Sequence, residues 1–232
     1  TITAGRELHP APKTSRFSCF TVCIIAQCFQ NASIFFRKGL TAAFRARTME
    51  ATTKKEAAAM PERENTCCFT GHREYKLPWG SDENDPRCRK LQQQLFDAVD
   101  AVYAAGIRHF ICGMANGCDL YFFDAARYLR LSHPEVTIEA AIPFSGQADR
   151  WRPELRARYD YDLRQCDYQT LVQEAYTPGC MMRRNRYMVD ASRILIAAFD
   201  GRPGGTARTL EYAALRKLEI IQLPIDRAPV GI

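Results

Sequence analysis

Three short glycine-rich or polar stretches carry the residues best suited to chemistry: Gly71-His72-Arg73, Gly113-Met114-Ala115-Asn116-Gly117-Cys118-Asp119, and Asp200-Gly201-Arg202-Pro203-Gly204-Gly205-Thr206. Glycines without a Cβ let the backbone approach a phosphate closely and adopt positive φ. Thr206 stands where it can cap a following helix and offer its hydroxyl to the same anion. His72 and Arg73 are either donors to a phosphate or ribose or an exposed loop pair. Asp119 is either a ribose contact or the N-cap of a helix. Gln147 and Trp151 can hydrogen-bond and stack on a base, with a tryptophan covering a sheet edge as the alternative. Arg183, Arg184 and Arg186 form a dense basic cluster; Arg184 and Asn185 are the expected ligand contacts, because a helix of Met181, Met188 and Val189 gains nothing from burying an Asn without a partner. Asp190 is expected to pair with Arg186 four residues earlier. Tyr159, Tyr161 and Tyr168, with Asp160 and Asp162 between them, read as a helix surface with no role.

Other site chemistries lack their signatures. There is no G-x-G-x-x-G, P-loop, C-x-x-C or H-E-x-x-H, so neither the usual dinucleotide fingerprint nor a zinc site or redox pair is supported. No cofactor is named by these residues. The ten cysteines are too few for a disulfide scaffold, and Cys67, Cys68 and Cys112 lie in apolar runs where a thiol acts as a small hydrophobe. A cytoplasmic location is expected.

The elements that would position the loops are regular from Thr66 onward. Strand-like runs at 67–70, 109–112, 137–142, 169–173, 194–199 and 220–223 alternate with helical patterns at 119–131, 152–164, 181–192 and 207–218. A helix carrying Leu91, Leu95, Val99 and Val102 on one face is closed by Gly106. This alternation predicts an α/β, Rossmann-like three-layer sandwich with a mostly parallel sheet. In such sheets ligands bind beyond the carboxyl ends of the strands, which is where the three loops fall.

The residues Cys68-Phe-Thr-Gly-His-Arg73, Gly113-Met-Ala-Asn-Gly-Cys-Asp119, Ile142-Pro-Phe-Ser-Gly-Gln147 with Trp151, Gly179-Cys-Met-Met-Arg-Arg-Asn-Arg-Tyr-Met-Val-Asp190, and Asp200-Gly201 with Gly204-Gly-Thr206 and Thr209 resemble the YpsA-like branch of the SLOG superfamily over roughly residues 66–224. The resemblance implies a domain related to DNA-processing protein A and to the Lonely Guy phosphoribohydrolases, binding a nucleotide or a derivative such as ADP-ribose. Two departures stand out. The Lonely Guy motif P-G-G-x-G-T-x-x-E places a glutamate three residues after its threonine, where this chain has Thr209; Glu211 lies about 200° further round a helix. Glu74 replaces the proline that commonly follows Gly-His-Arg.

Charge divides the chain at its start. Residues 1–48 hold seven of the 32 bases and one of the 26 acids, so the whole net charge of +6 belongs to them and residues 49–232 carry 25 of each sign. The uncharged stretch 17–36 is near the length that spans a bilayer but holds six polar residues. Residues 1–60 are expected to be a disordered or over-translated extension ahead of a domain at 61–232, with membrane insertion or a signal peptide the alternative.

Three functions compete. A ligand-binding or sensing domain needs phosphate-accepting loops and no committed acid/base pair. A nucleotide N-glycosidic hydrolase needs a carboxylate near the scissile carbon, for which Asp119, Asp200 and Glu211 are candidates. Single-stranded nucleic acid binding needs a basic groove, which a neutral domain disfavours. A small nucleotide-like ligand is therefore the expected partner, and a homo-oligomer stays open.

Overall fold

The computed structural model describes residues 61–227. The apolar stretch 17–36 and the expected extension 1–60 lie outside the described residues. Within them six strands form one parallel sheet: β1 (Thr66–Thr70), β2 (His109–Cys112), β3 (Thr137–Ile142), β4 (Tyr168–Leu171), β5 (Ile194–Phe199) and β6 (Glu219–Pro224). Five α-helices connect them: α1 (Pro86–Ala104), α2 (Cys118–Ser132), α3 (Pro153–Leu163), α4 (Cys180–Asp190) and α5 (Gly205–Leu215). The expected three-layer α/β sandwich is observed, with boundaries shifted by no more than a turn.

The strand order is β4-β3-β2-β1-β5-β6. The chain moves outward from β1 to β4, then crosses back so that β5 lies on the other side of β1. Right-handed crossovers require the helices of the two halves to lie on opposite faces of the sheet. The packing agrees. Phe69, Phe110, Ile138 and Ile196 meet α1 and α2 on one face, with Phe69 stacked on Phe122 at 4.8 Å between ring centres. Cys68, Ile111 and Leu195 meet Met188, Val189 and Ala213 of α4 and α5 on the other. Burial on both faces explains why the central strands read as unbroken apolar runs.

Local signals set the helix ends. Asp85 caps α1 by accepting from the Arg87 amide at 2.8 Å, Pro86 occupies the first turn, and Gly106 at φ +98° turns the chain out of it. Tyr159 corrects the surface reading of its stretch: it is buried, with its ring edge-on to Trp151 at 5.3 Å. Tyr168 is not helical but starts β4, against the His109 ring. Asp190 does not pair with Arg186. It accepts from Arg216 Nε at 2.7 Å and from the Tyr212 hydroxyl, while Arg186 lies over the Tyr212 ring. Tertiary neighbours on α5 outcompete the helical i, i+4 pairing.

No described helix is long and apolar enough to cross a membrane.

Candidate functional site

The order reverses between β1 and β5, so the loops leaving their carboxyl ends diverge and open a crevice. A cleft of about 170 Å³ lies there. Backbone bonds join its walls. The Cys118 amide donates to the His72 carbonyl at 3.0 Å and the Glu74 amide to the Asn116 carbonyl at 3.2 Å, laying the loop after β1 along the entry to α2. Gly117, at φ +117°, is needed at this crossing: a Cβ there would stand 2.6 Å from both the Glu74 nitrogen and the His72 oxygen. Glu74 reinforces the join, accepting from Asn116 Nδ2 at 2.7 Å and from Arg152 Nη2 at 3.1 Å. Glu74 thus anchors the loop by its side chain.

Three cations and one carboxylate line the cleft: Arg73, Lys76, Arg184 and Asp119. Arg184 is buried on α4 and donates to the carbonyls of Gly113 and Ala141 and to Asn185 Oδ1. Burial pulls its pKa below the usual arginine value, with Asp119 opposing. Burial likewise raises Asp119, against the pull of Arg184, and its Oδ2 accepts from the Ala115 amide at 3.1 Å. A Cβ at Gly113 would strike both side chains, so glycine lets them approach. Asp119 is the second residue of α2 and Gly117 is the cap position, so Asp119 is not the N-cap.

Arg73 and Lys76 differ from Arg184. The Arg73 guanidinium donates to the Met181 thioether at 3.5 Å, and Lys76 lies 6.0 Å from the Tyr75 ring; neither forms an ion pair with a described carboxylate. The start of α5 borders the same space. Thr206 does not cap it: Gly204 holds the cap position without a side chain, and the Thr206 hydroxyl donates instead to the Gly71 carbonyl at 3.2 Å. First-turn amides of such a helix favour an anion.

His72 and Asp200 meet across the crevice, Nε2 to Oδ1 at 2.6 Å, and both side chains are almost fully buried. Asp200 also accepts from Arg227 Nε and from the Arg202 amide. Burial alone would raise Asp200, but these three donors outweigh it and hold the carboxyl at about 2.

Of the residues expected from sequence, Gly71, His72, Arg73, Asp119, Arg184, Asn185, Gly205 and Thr206 line this cleft. Gly113, Met114, Gln147, Asp200 and Gly204 lie behind or beside it, Gly117 borders a second cleft, and Gly201, at φ +84°, is an exposed turn residue outside both. Gln147 donates to the carbonyls of Gly113 and Met114, and Met114 itself sits at φ +52°. Trp151 packs against Tyr159, away from the lining. Asn185 finds its partner on α5, donating to Thr209 Oγ1 at 2.8 Å. Glu211 is exposed. Sequence reasoning missed Tyr75 and Lys76, both in the lining. An aromatic and a basic residue two and three positions after Gly-His-Arg were the available signal.

The Rossmann-like sheet and the glycine loops at its switch point define a class of protein. Within it, the model of the YspA SLOG family matches residues 67–226, and the chain belongs to that family. The chain is similar to the uncharacterized SPbeta prophage-derived protein YoqJ of Bacillus subtilis (strain 168), 28% identical over 142 residues, 56% of this chain and 83% of that protein. A UPF0398 protein of Bacillus thuringiensis (strain Al Hakam) is 23% identical over 154 residues, 65% of this chain and 83% of the relative. Among solved structures, DNA processing protein A from Streptococcus pneumoniae aligns with a TM-score of 0.46 at 17% identity, covering 68% of this chain and 50% of that one. DNA processing protein A from Helicobacter pylori, solved in a study of its single-stranded DNA binding mode, aligns at 0.45 and 14%, covering 68% and 65%.

Proposed function

We propose that the cleft between β1 and β5 binds a nucleotide or nucleotide derivative such as ADP-ribose, as a sensing rather than a committed catalytic domain. The observation that carries this reading is the pair Arg73 and Lys76, two cations without ion-pair partners among the described residues, beside the start of α5. Cations held at a concave site without an ion-pair partner favour an anionic ligand. Phosphate oxygens would meet Arg73, Lys76 and the α5 amides. Asp119, already positioned by Ala115, would accept from ribose hydroxyls. Tyr75, 77% exposed at the mouth, supplies a flat face for a base. Trp151, assigned that role by the sequence reading, is engaged with Tyr159.

One observation favours a second reading, N-glycosidic hydrolysis: Asp119 is a buried carboxyl within the cleft whose proton affinity is raised. Of the other candidate carboxylates, Asp200 already accepts from three donors and Glu211 is exposed.

The test is thermal stabilisation of the full chain across adenine nucleotides, ADP-ribose and an oligonucleotide, with mass spectrometry of small molecules that co-purify. Stabilisation by nucleotides is expected, and a flat response with nothing co-purified overturns the reading. Nucleobase release that Asp119→Asn abolishes would establish the hydrolase instead. Salt-sensitive retention of the oligonucleotide alone would favour nucleic acid.

A further inference from the structure

We propose that His72 is the proton-exchanging group of the cleft, presenting Nδ1 to the ligand while Asp200 holds Nε2–H, so that a phosphate-bearing ligand binds together with a proton. The inference rests on the nucleotide reading above and adds a proton to its ligand chemistry.

Asp200 is a carboxylate acceptor in every state, because Arg227, the Arg202 amide and His72 all donate to it. The Nε2 atom therefore keeps its hydrogen whether His72 is neutral or charged. That leaves Nδ1 to exchange the proton. This nitrogen has no hydrogen-bond partner among the described residues and is not sealed from solvent, on a side chain that is 5% exposed and lines the cleft. A neutral His72 turns a lone pair toward the ligand space and accepts from a hydroxyl or amino group. A protonated His72 turns a donor toward it and joins Arg73 and Lys76 in holding a phosphate oxygen.

Charged groups of both signs surround the ring. Behind the ring stands Asp200 with Arg227, favouring and opposing the proton respectively. On the same loop Arg73 and Lys76 oppose it. Across the cleft Asp119 and Arg184 act with opposite signs. From α2 the Cys118 amide donates to the His72 carbonyl, and its thiol is pushed up by burial, so it stays neutral. Phe199 packs at 5.9 Å and Tyr75 lies at the mouth. An arriving phosphate offsets Arg73 and Lys76, and protonation at Nδ1 then becomes favourable.

Two measurements on the full chain test this. In the first, ADP-ribose is titrated by calorimetry from about pH 6 to about pH 8.5; it has no phosphate monoester, the group that titrates near 6, so its own charge stays constant. Binding is expected to be roughly tenfold tighter at the acid end, as for one added charged hydrogen bond. His72→Gln, whose side-chain nitrogen can still donate to Asp200, should bind with the weaker affinity throughout. Binding that is equally tight at both ends overturns the inference while leaving the nucleotide reading intact, as does a His72→Gln chain that keeps the full dependence; loss of the dependence in Asp119→Asn would then assign it to that carboxyl. No binding of ADP-ribose or of any adenine nucleotide at any pH overturns both. In the second, ¹⁵N NMR of the ligand-free chain reads the His72 tautomer. Protonated Nε2 with bare Nδ1 at high pH is expected, and the opposite tautomer overturns the inference without reference to any ligand.

Discussion

Two clefts flank the loop after β1, and both are rich in charge. The first holds Arg73, Lys76, Arg184 and Asp119; the second, of about 130 Å³, holds Glu74, Glu83, Arg152 and Arg158 beside Asn116 and Tyr121. Their difference is pairing. In the second cleft Arg152 bonds Glu74, and Arg158 is shared by Glu83 at 3.1 Å, Asp124 at 2.6 Å and Asp162 at 3.6 Å. Its charges neutralise one another and tie α2 to α3. In the first, Arg73 and Lys76 have no such partner. A count of charged residues would rank the two alike, whereas unspent hydrogen-bonding capacity separates a binding site from a structural brace.

The largest expected effect breaks the brace. Arg158→Ala leaves the carboxylates of Asp124 and Asp162 facing each other with Asp162 buried, which should cost about 2–3 kcal/mol of stability in urea unfolding. Ligand affinity should be unchanged. In the first cleft the balance reverses: Arg73→Ala or Lys76→Ala should weaken nucleotide binding roughly tenfold or more. Stability there should move by no more than about 0.5 kcal/mol.

A smaller effect concerns Asp162. Burial and the nearby Asp124 push its carboxyl up to about 6 despite Arg158, and its Oδ2 makes no hydrogen bond to the described residues. The folded value lies above the unfolded one, near 3.9. The fold therefore holds this proton more tightly than the unfolded chain, and stability falls as pH rises from about 4 to about 6. Asp162→Asn should stabilise the protein by about 1 kcal/mol at pH 7.5, and that gain should vanish below about pH 4. The smallest effect is at the mouth of the first cleft, where Tyr75→Ala should weaken nucleotide binding roughly fivefold through lost stacking.

Much of this architecture was legible in the sequence. Apolar runs bounded by glycine and polar loops gave the six strands, and their alternation with helical periods implied a parallel sheet with loops at one edge. Gly71, His72, Arg73 and Asp119 were recognisable because they stand at the ends of loops that leave strands. What escaped was partnership. Nothing local distinguishes Arg184, buried against the Gly113 carbonyl, from Arg183 and Arg186 on other faces of the same helix. Nothing near Asp200 announces Arg227, which reaches it from beyond β6. Trp151 has the right type for stacking, but its ring is claimed by Tyr159 of the next helix. Lys76 and Tyr75 lay in a polar turn whose course depends on the distant Asn116 and Arg152. Such choices are decided by long-range packing, to which a linear pattern is blind.

The most direct measurement is a calorimetric titration of ADP-ribose into the full chain, its Arg73→Ala/Lys76→Ala variant and, as the opposing cleft's control, Arg158→Ala. The account predicts saturable binding to the parent chain, retained in Arg158→Ala and lost in the double variant. Binding that survives the double variant but disappears in Arg158→Ala would contradict it and move the site to the second cleft.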